Sequence, residues 1–182
     1  RKKRYVNEYN LSNYDASVLT SDKSVSDFFD SVIKVDASLK KTSKIVVNWI
    51  TSELFSLLNE NDLEINNSPI TPDNLGKLVK LIIDDVISGK IAKDVLLEMF
   101  STKKDPDKII EDKGLKQVTD TSLIETIVDD VIDENQKMVE QYLSGKDKLL
   151  GFFVGQAMKK SKGKANPKIL NEILKEKLSK KN

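Results

Sequence analysis

The sequence predicts an all-α protein made of two helical units, a helical bundle followed by a smaller helical tail. Three observations carry this. Apolar residues recur at three- and four-residue spacing along nearly the whole chain, no segment alternates apolar and polar residues long enough to be a strand, and the β-branched residues fall on the helical stripes. With 182 residues, 38% of them apolar, the chain can supply one ordinary core or two small ones.

Taken in order, the chain opens on Arg1-Lys2-Lys3-Arg4 rather than on Met, and this charged start predicts a piece of a longer protein, its C-terminal part. Val25, Phe28, Phe29, Val32 and Ile33 form the first stripe. Trp49, among Ile45, Val46 and Ile50, reads as a core anchor rather than a ligand platform. In the loop Ser68-Pro69-Ile70-Thr71-Pro72, Thr71 can cap a helix whose first position is Pro72, where a missing N–H costs nothing. That helix carries Leu75, Leu78, Val79, Ile82, Ile83, Val86 and Ile87. Ser88-Gly89 ends it and starts another through Ile91, Val95, Leu96 and Met99.

The polar run Ser101-Thr102-Lys103-Lys104-Asp105-Pro106 breaks the pattern and predicts a linker and hinge, with units at 1–104 and 105–182. Beyond it, Leu123, Ile124, Ile127, Val128, Val131 and Ile132 repeat the helical stripe, and Met138 and Met158 read as core fillers. Gly163 stops one helix and Asn166-Pro167 starts the last, whose stripe is Ile169, Leu170, Ile173, Leu174 and Leu178.

The chain has no Cys and no His, which excludes disulfides, cysteine nucleophiles, Ser-His-Asp triads and the usual zinc sites. No Gly-rich phosphate loop is present. The longest apolar stretches, around Ile45 to Ile50 and Leu149 to Val154, fall far short of the roughly 18 residues that span a membrane, so a cytoplasmic protein without membrane contact is expected. Carboxylates are the remaining acid-base material, as Asp84-Asp85, Asp129-Asp130 and Asp133-Glu134. Neighbours on a helix point about 100° apart and do not converge on one atom, so these pairs read as solvated faces and no catalytic or metal-binding residue is expected.

Lys and Arg number 30 against 29 Asp and Glu, but the balance hides a division. Asp105 to Gly145 holds 4 Lys and 11 acidic residues, a net of −7, whereas Lys146 to Asn182 holds 11 Lys and 3 acidic residues, a net of +8. Lys159, Lys160, Lys162 and Lys164 surround Gly163, and Asn166-Pro167 then begins a helix with Lys168 in its first turn. Two readings stand at this point. The lysines and the helix N-terminus converge on a phosphate, or the lysines complement a helix C-terminal dipole and solubilise it.

The run Leu150-Gly151-Phe152-Phe153-Val154-Gly155-Gln156-Ala157-Met158-Lys159, continuing through Lys162-Gly163-Lys164-Ala165-Asn166-Pro167, resembles the YqeY-like tail of the B subunits of tRNA-dependent amidotransferases, the GatB family. Arg4-Tyr5-Val6, Glu8-Tyr9, Tyr14-Asp15-Ala16, Val18-Leu19-Thr20, Val47-Asn48-Trp49, Ile70-Thr71-Pro72, Asn74-Leu75, Ile87-Ser88-Gly89-Lys90-Ile91-Ala92-Lys93 and Gly114-Leu115-Lys116-Gln117 follow in that family's order. The approach Ile82 to Ile87 departs from it in being more apolar.

The resemblance implies a part in converting misacylated Glu-tRNA(Gln) or Asp-tRNA(Asn) by ATP-dependent transamidation. In that family the glutaminase (A) component releases ammonia, and an N-terminal cradle of the GatB component, absent from this sequence, uses ATP and Mg²⁺. The A and C components of the amidotransferase are the implied protein partners. The helical and tail portions hold the tRNA and carry no cofactor. The residues expected to touch tRNA are Lys159, Lys160, Lys162, Gly163, Lys164, Asn166 and Lys168, reading shape through phosphates and sugars. Phe152 and Phe153 fit the core rather than a stacking platform. The competing readings are a protein–protein docking scaffold within the amidotransferase complex and an independent enzyme.

Overall fold

The computed structural model describes residues 1–116 and 121–181; Gln117, which closes the Gly114-Leu115-Lys116-Gln117 motif, and Asn182 lie outside the described residues. Every regular element among the described residues is helical, with no strand, and none is long and apolar enough to cross a membrane. The chain divides into two compact units, Arg1–Leu115 and Lys116–Asn182.

In the first unit, α1 (Lys2–Tyr9), α2 (Asn13–Thr20) and α3 (Lys23–Ile33) lead through short α4 (Ser38–Lys41) into α5 (Ser43–Asn48). α5 runs on through a π-helical segment, Trp49–Leu54, into α6 (Phe55–Glu60). After a 3-10 turn at Ile65–Asn67 come α7 (Pro72–Ile83), α8 (Gly89–Thr102) and α9 (Pro106–Lys113). The stripe of α3 is buried as its spacing predicts, and Trp49 is buried in the same core. α3 packs on α7, and the chain between α3 and α4 approaches so closely that a Cβ placed on Gly76 would lie 2.7 Å from Val35 Cγ2. Only glycine fits this point of α7 without displacing Val35.

α2 is fastened to α5 by a polar clamp. Ser12 caps α2, accepting the Asp15 N–H at 3.0 Å and donating its hydroxyl to Asp15 Oδ2 at 2.7 Å. Lys44 Nζ lies 2.6 Å from the same carboxylate oxygen. Burial pushes the Asp15 carboxyl up, but the bonds from Lys44 and Ser12 outweigh it and hold the group below its usual range.

Thr71 caps α7 as expected, accepting the Asn74 N–H at 3.2 Å, and Pro72 takes the first helical position. The helix itself ends earlier than its stripe predicts. Asp85 adopts a left-handed conformation (φ 56°), and the N–H groups of Asp85 and Val86 bond back to Ile82 and Leu81 at 3.1 and 3.0 Å. Val86 and Ile87 therefore lie beyond the helix, although Ile87 remains buried in the same core. Ser88 then caps α8 by accepting the Ile91 N–H.

The expected linker at Ser101 to Pro106, and with it the boundary between 104 and 105, is corrected. Ser101 and Thr102 are the last residues of α8, their hydroxyls donating to the Leu97 and Glu98 carbonyls. Lys103 turns the chain in the left-handed region, and Asp105 caps α9, accepting the Asp107 N–H at 2.9 Å. Ile109 and Ile110 of α9 are buried in the first core, Lys77 Nζ lies 2.7 Å from Asp105 Oδ2, and Lys113 pairs with Glu98. The run is polar because it is an exposed turn between two packed helices. The boundary falls at 115/116.

The second unit contains α10 (Thr121–Glu134), α11 (Gln136–Leu143), α12 (Leu149–Lys160) and α13 (Pro167–Ser179). α10, α12 and α13 pack mutually around Ile124, Val128, Phe153, Ala157, Leu170 and Leu174. Leu123 departs from its predicted stripe and is 55% exposed. Met138, Met158 and Phe152 pack against this core, and the Phe152 and Phe153 rings meet edge to face at 5.6 Å. Phe153 is fully buried and Phe152 half-buried against it, so both rings serve this core.

Candidate functional site

The basic turn between α12 and α13 is built by three devices. The first is a Schellman closure: Lys162 N–H bonds to the Lys159 carbonyl at 3.1 Å and Gly163 N–H to the Met158 carbonyl at 2.8 Å. Its left-handed residue is Lys162 (φ 55°), followed by Gly163 at φ 76°. The second is Ser161, whose hydroxyl donates to the Met158 carbonyl at 3.0 Å and accepts the Ala165 N–H at 3.1 Å, so it pins both ends of the turn. The third is Asn166, 6% exposed, whose Oδ1 accepts the Ile169 N–H at 3.1 Å and caps α13.

The seven expected residues fall into three groups. Lys159, Lys162 and Lys168 are exposed and Lys164 is half-buried, and none has an ion-pair partner among the described residues. Lys160 is different, with its Nζ 2.8 Å from Glu134 Oε1 of α10. The hydrogen bond to Glu134 raises its pKa against a smaller desolvation cost, with the Asp130 charge adding to the shift. Gly163 and Asn166 shape the turn through backbone conformation and capping.

The open helix N-terminus expected behind this turn is corrected. Pro167 has no N–H, Ile169 is bound by Asn166 Oδ1, and Leu170 N–H goes to the Asn166 carbonyl at 3.0 Å. Of the first-turn amides only Lys168 N–H has no partner among the described residues. The cap that starts the helix thus consumes most of the donors an anion would use. What remains is a set of ammonium groups on a rigid turn, able to hold an anion by charge and to do no proton chemistry of the imidazole type.

The acidic pairs are occupied in other ways. Asp129 Oδ1 accepts Lys177 Nζ at 2.7 Å, Glu134 holds Lys160, and Asp84 pairs with Lys80 at the end of α7. No group of three or more acidic side chains among the described residues comes together as a cation site. Sequence reasoning did not find Ser161 or the Lys160–Glu134 pair. The first was a single serine among lysines and the second joins residues 26 positions apart.

A family model for the GatB domain matches residues 27–178, which include parts of both units and all seven residues of the turn. The chain belongs to the GatB domain family. Among curated GatB relatives, the B subunit of the aspartyl/glutamyl-tRNA(Asn/Gln) amidotransferase of Rickettsia rickettsii (strain Sheila Smith) is 54% identical over 176 residues, covering 97% of this chain and 35% of the relative. The relative of the same name from Alkalilimnicola ehrlichii is 51% identical over 178 residues, 98% of this chain and 37% of the relative. That of Nitrosococcus oceani is 50% identical over 179 residues, with the same coverage. The chain spans about a third of the length of these GatB relatives.

Proposed function

We propose that this chain is the tRNA-holding C-terminal portion of a GatB-type amidotransferase component, acting on misacylated Glu-tRNA(Gln) or Asp-tRNA(Asn) in the cytoplasm. The observation that carries the reading is the turn at 159–164. Lys159, Lys162 and Lys164 stand on one hydrogen-bonded turn without carboxylate partners among the described residues, whereas Lys160 and Lys177 are matched to acids. Unpaired lysines on a fixed turn suit RNA phosphates, which position a nucleic acid without reading its sequence. The family membership and the relatives' names supply the substrate class.

In this reading the fragment itself is not catalytic. ATP and Mg²⁺ act in another domain of the full-length GatB protein, and the A and C components complete the assembly. The test is binding of the purified chain to bulk tRNA at several salt concentrations, alongside assays for ATP and glutamine hydrolysis. Salt-dependent tRNA binding with neither hydrolytic activity is expected. Hydrolysis by the purified chain, or no tRNA binding at low salt, would overturn the proposal.

A further inference from the structure

The first unit carries a groove that the basic turn does not explain. Its one wall is the first turns of α2, with Ser12, Tyr14, Asp15 and Val18; the other is one face of the α5–α6 helix, with Lys44, Asn48, Thr51, Ser52 and Phe55. The spacing of 44, 48 and 52 keeps these side chains on one face as the helix widens into its π-helical segment. The groove has a volume of about 470 Å³, within the roughly 300–1,000 Å³ of ordinary ligand pockets.

Three features define what fits. Tyr14 is 77% exposed although its neighbours Asp15 and Ala16 are buried, so its ring is presented to solvent by a helix that cannot turn away. The side chains of Asn48 and Ser52 are exposed and have no hydrogen-bond partner among the described residues, leaving an amide and a hydroxyl available on the groove wall. The Asp15–Lys44–Ser12 clamp fixes the two walls to each other. A second groove of about 630 Å³ is lined by Lys2, Lys3, Val6, Asn7 and Asn13, whose chain neighbours Ser12 and Tyr14 line the first. Lys2 and Lys3 have no ion-pair partner among the described residues, while Arg1 and Arg4 are paired with Asp27 and Asp30.

We propose that this groove binds one unpaired nucleotide of an RNA, with the base stacked on Tyr14, its edge on Asn48 and Ser52, and the adjoining phosphates towards Lys2 and Lys3. A lone exposed aromatic ring beside free amides and cations is the arrangement that single-stranded nucleic acids use, since every base offers a flat face. A protein partner would need a contiguous apolar centre. The walls here set Val18 and Phe55 among hydroxyl, amide and charged groups rather than in one apolar surface, and the other exposed large hydrophobics, Leu97 and Leu123, lie on other helices. The proposal rests on the RNA-holding reading above but places a base contact on the first unit, where the basic turn supplies only phosphate contacts.

The experiment uses the whole chain with three probes: a mixed-sequence single-stranded RNA 12-mer, its duplex, and bulk tRNA. Tyr14→Ala and Tyr14→Leu should weaken single-strand binding by about 5- to 150-fold, the equivalent of one lost stacking contact. Tyr14→Phe and Tyr14→Trp should retain it, and duplex binding should be unchanged in all four. Because Tyr14 is on the surface, matched melting temperatures will separate lost contact from lost fold. Wild-type affinity for the 12-mer in Tyr14→Ala, or an equal loss in Tyr14→Phe, would overturn the nucleotide pocket. If tRNA binding then still depends on the lysines of the turn, the RNA-holding reading stands without it. A chain that binds none of the three probes would remove both.

Discussion

Lys160 Nζ lies 2.8 Å from Glu134 Oε1, so one of the lysines of the basic turn is already matched to a carboxylate on α10. An RNA phosphate would have to compete with that acid. Lys160→Ala should therefore weaken tRNA binding less than Lys159→Ala, Lys162→Ala or Lys164→Ala, each measured at the same salt concentration. Glu134→Gln should do the reverse, freeing Lys160 and tightening binding. Equal effects from all four lysines would mean that the pair does not persist in solution.

Lys162 sits at φ 55° where the Schellman closure favours glycine. Lys162→Gly should raise stability by about 0.5–1 kcal/mol by relieving the left-handed strain, and should still weaken RNA binding by removing an ammonium. Thermal melting together with a tRNA titration would show the two effects moving in opposite directions.

Gly76 lies in the middle of α7, where alanine would ordinarily stabilise by about 1 kcal/mol. Here a Cβ would come within 2.7 Å of Val35 Cγ2 and 2.8 Å of its Cβ, and a β-branched side chain cannot swing aside. Gly76→Ala should cost about 1–3 kcal/mol. Adding Val35→Ala should recover part of that loss in denaturant titrations, a coupling that independent sites would not show.

α9 belongs to the first core, so changes in it should be felt there. Ile110→Ala should destabilise the first unit by about 2–4 kcal/mol, and Asp105→Ala by about 1 kcal/mol through its lost cap. Amide exchange of α7 and α8 is the readout. Unchanged protection in both variants would return residues 105–113 to the role of a linker.

Much of the fold was legible because burial follows helical periodicity: Val25, Phe28, Phe29, Val32 and Ile33 are all in the core, and Thr71 and Asn166 cap the helices their prolines begin. What escaped was termination. Asp85, Lys103 and Lys162 take left-handed turns that glycine would have advertised, and the apolar Ile87 continued a stripe after its helix had stopped. The candidate site was legible as charge, but its donors were overestimated, since a capping residue and a proline remove amides that the bare helix end would have offered. Contacts between distant residues, such as Lys160 with Glu134 or Asp15 with Lys44, left no mark on local spacing.

Whether the turn between α12 and α13 holds RNA by its phosphates is decided by the salt dependence of tRNA binding in a variant carrying Lys159→Ala, Lys162→Ala and Lys164→Ala together. Each lost phosphate contact removes roughly 0.7–0.9 from the slope of log affinity against log salt. The variant should keep its melting temperature, bind all tRNAs more weakly, and lose about 2–3 units of slope. An unchanged affinity and slope would refute phosphate holding at this turn and leave its lysines as a solubilising helix end.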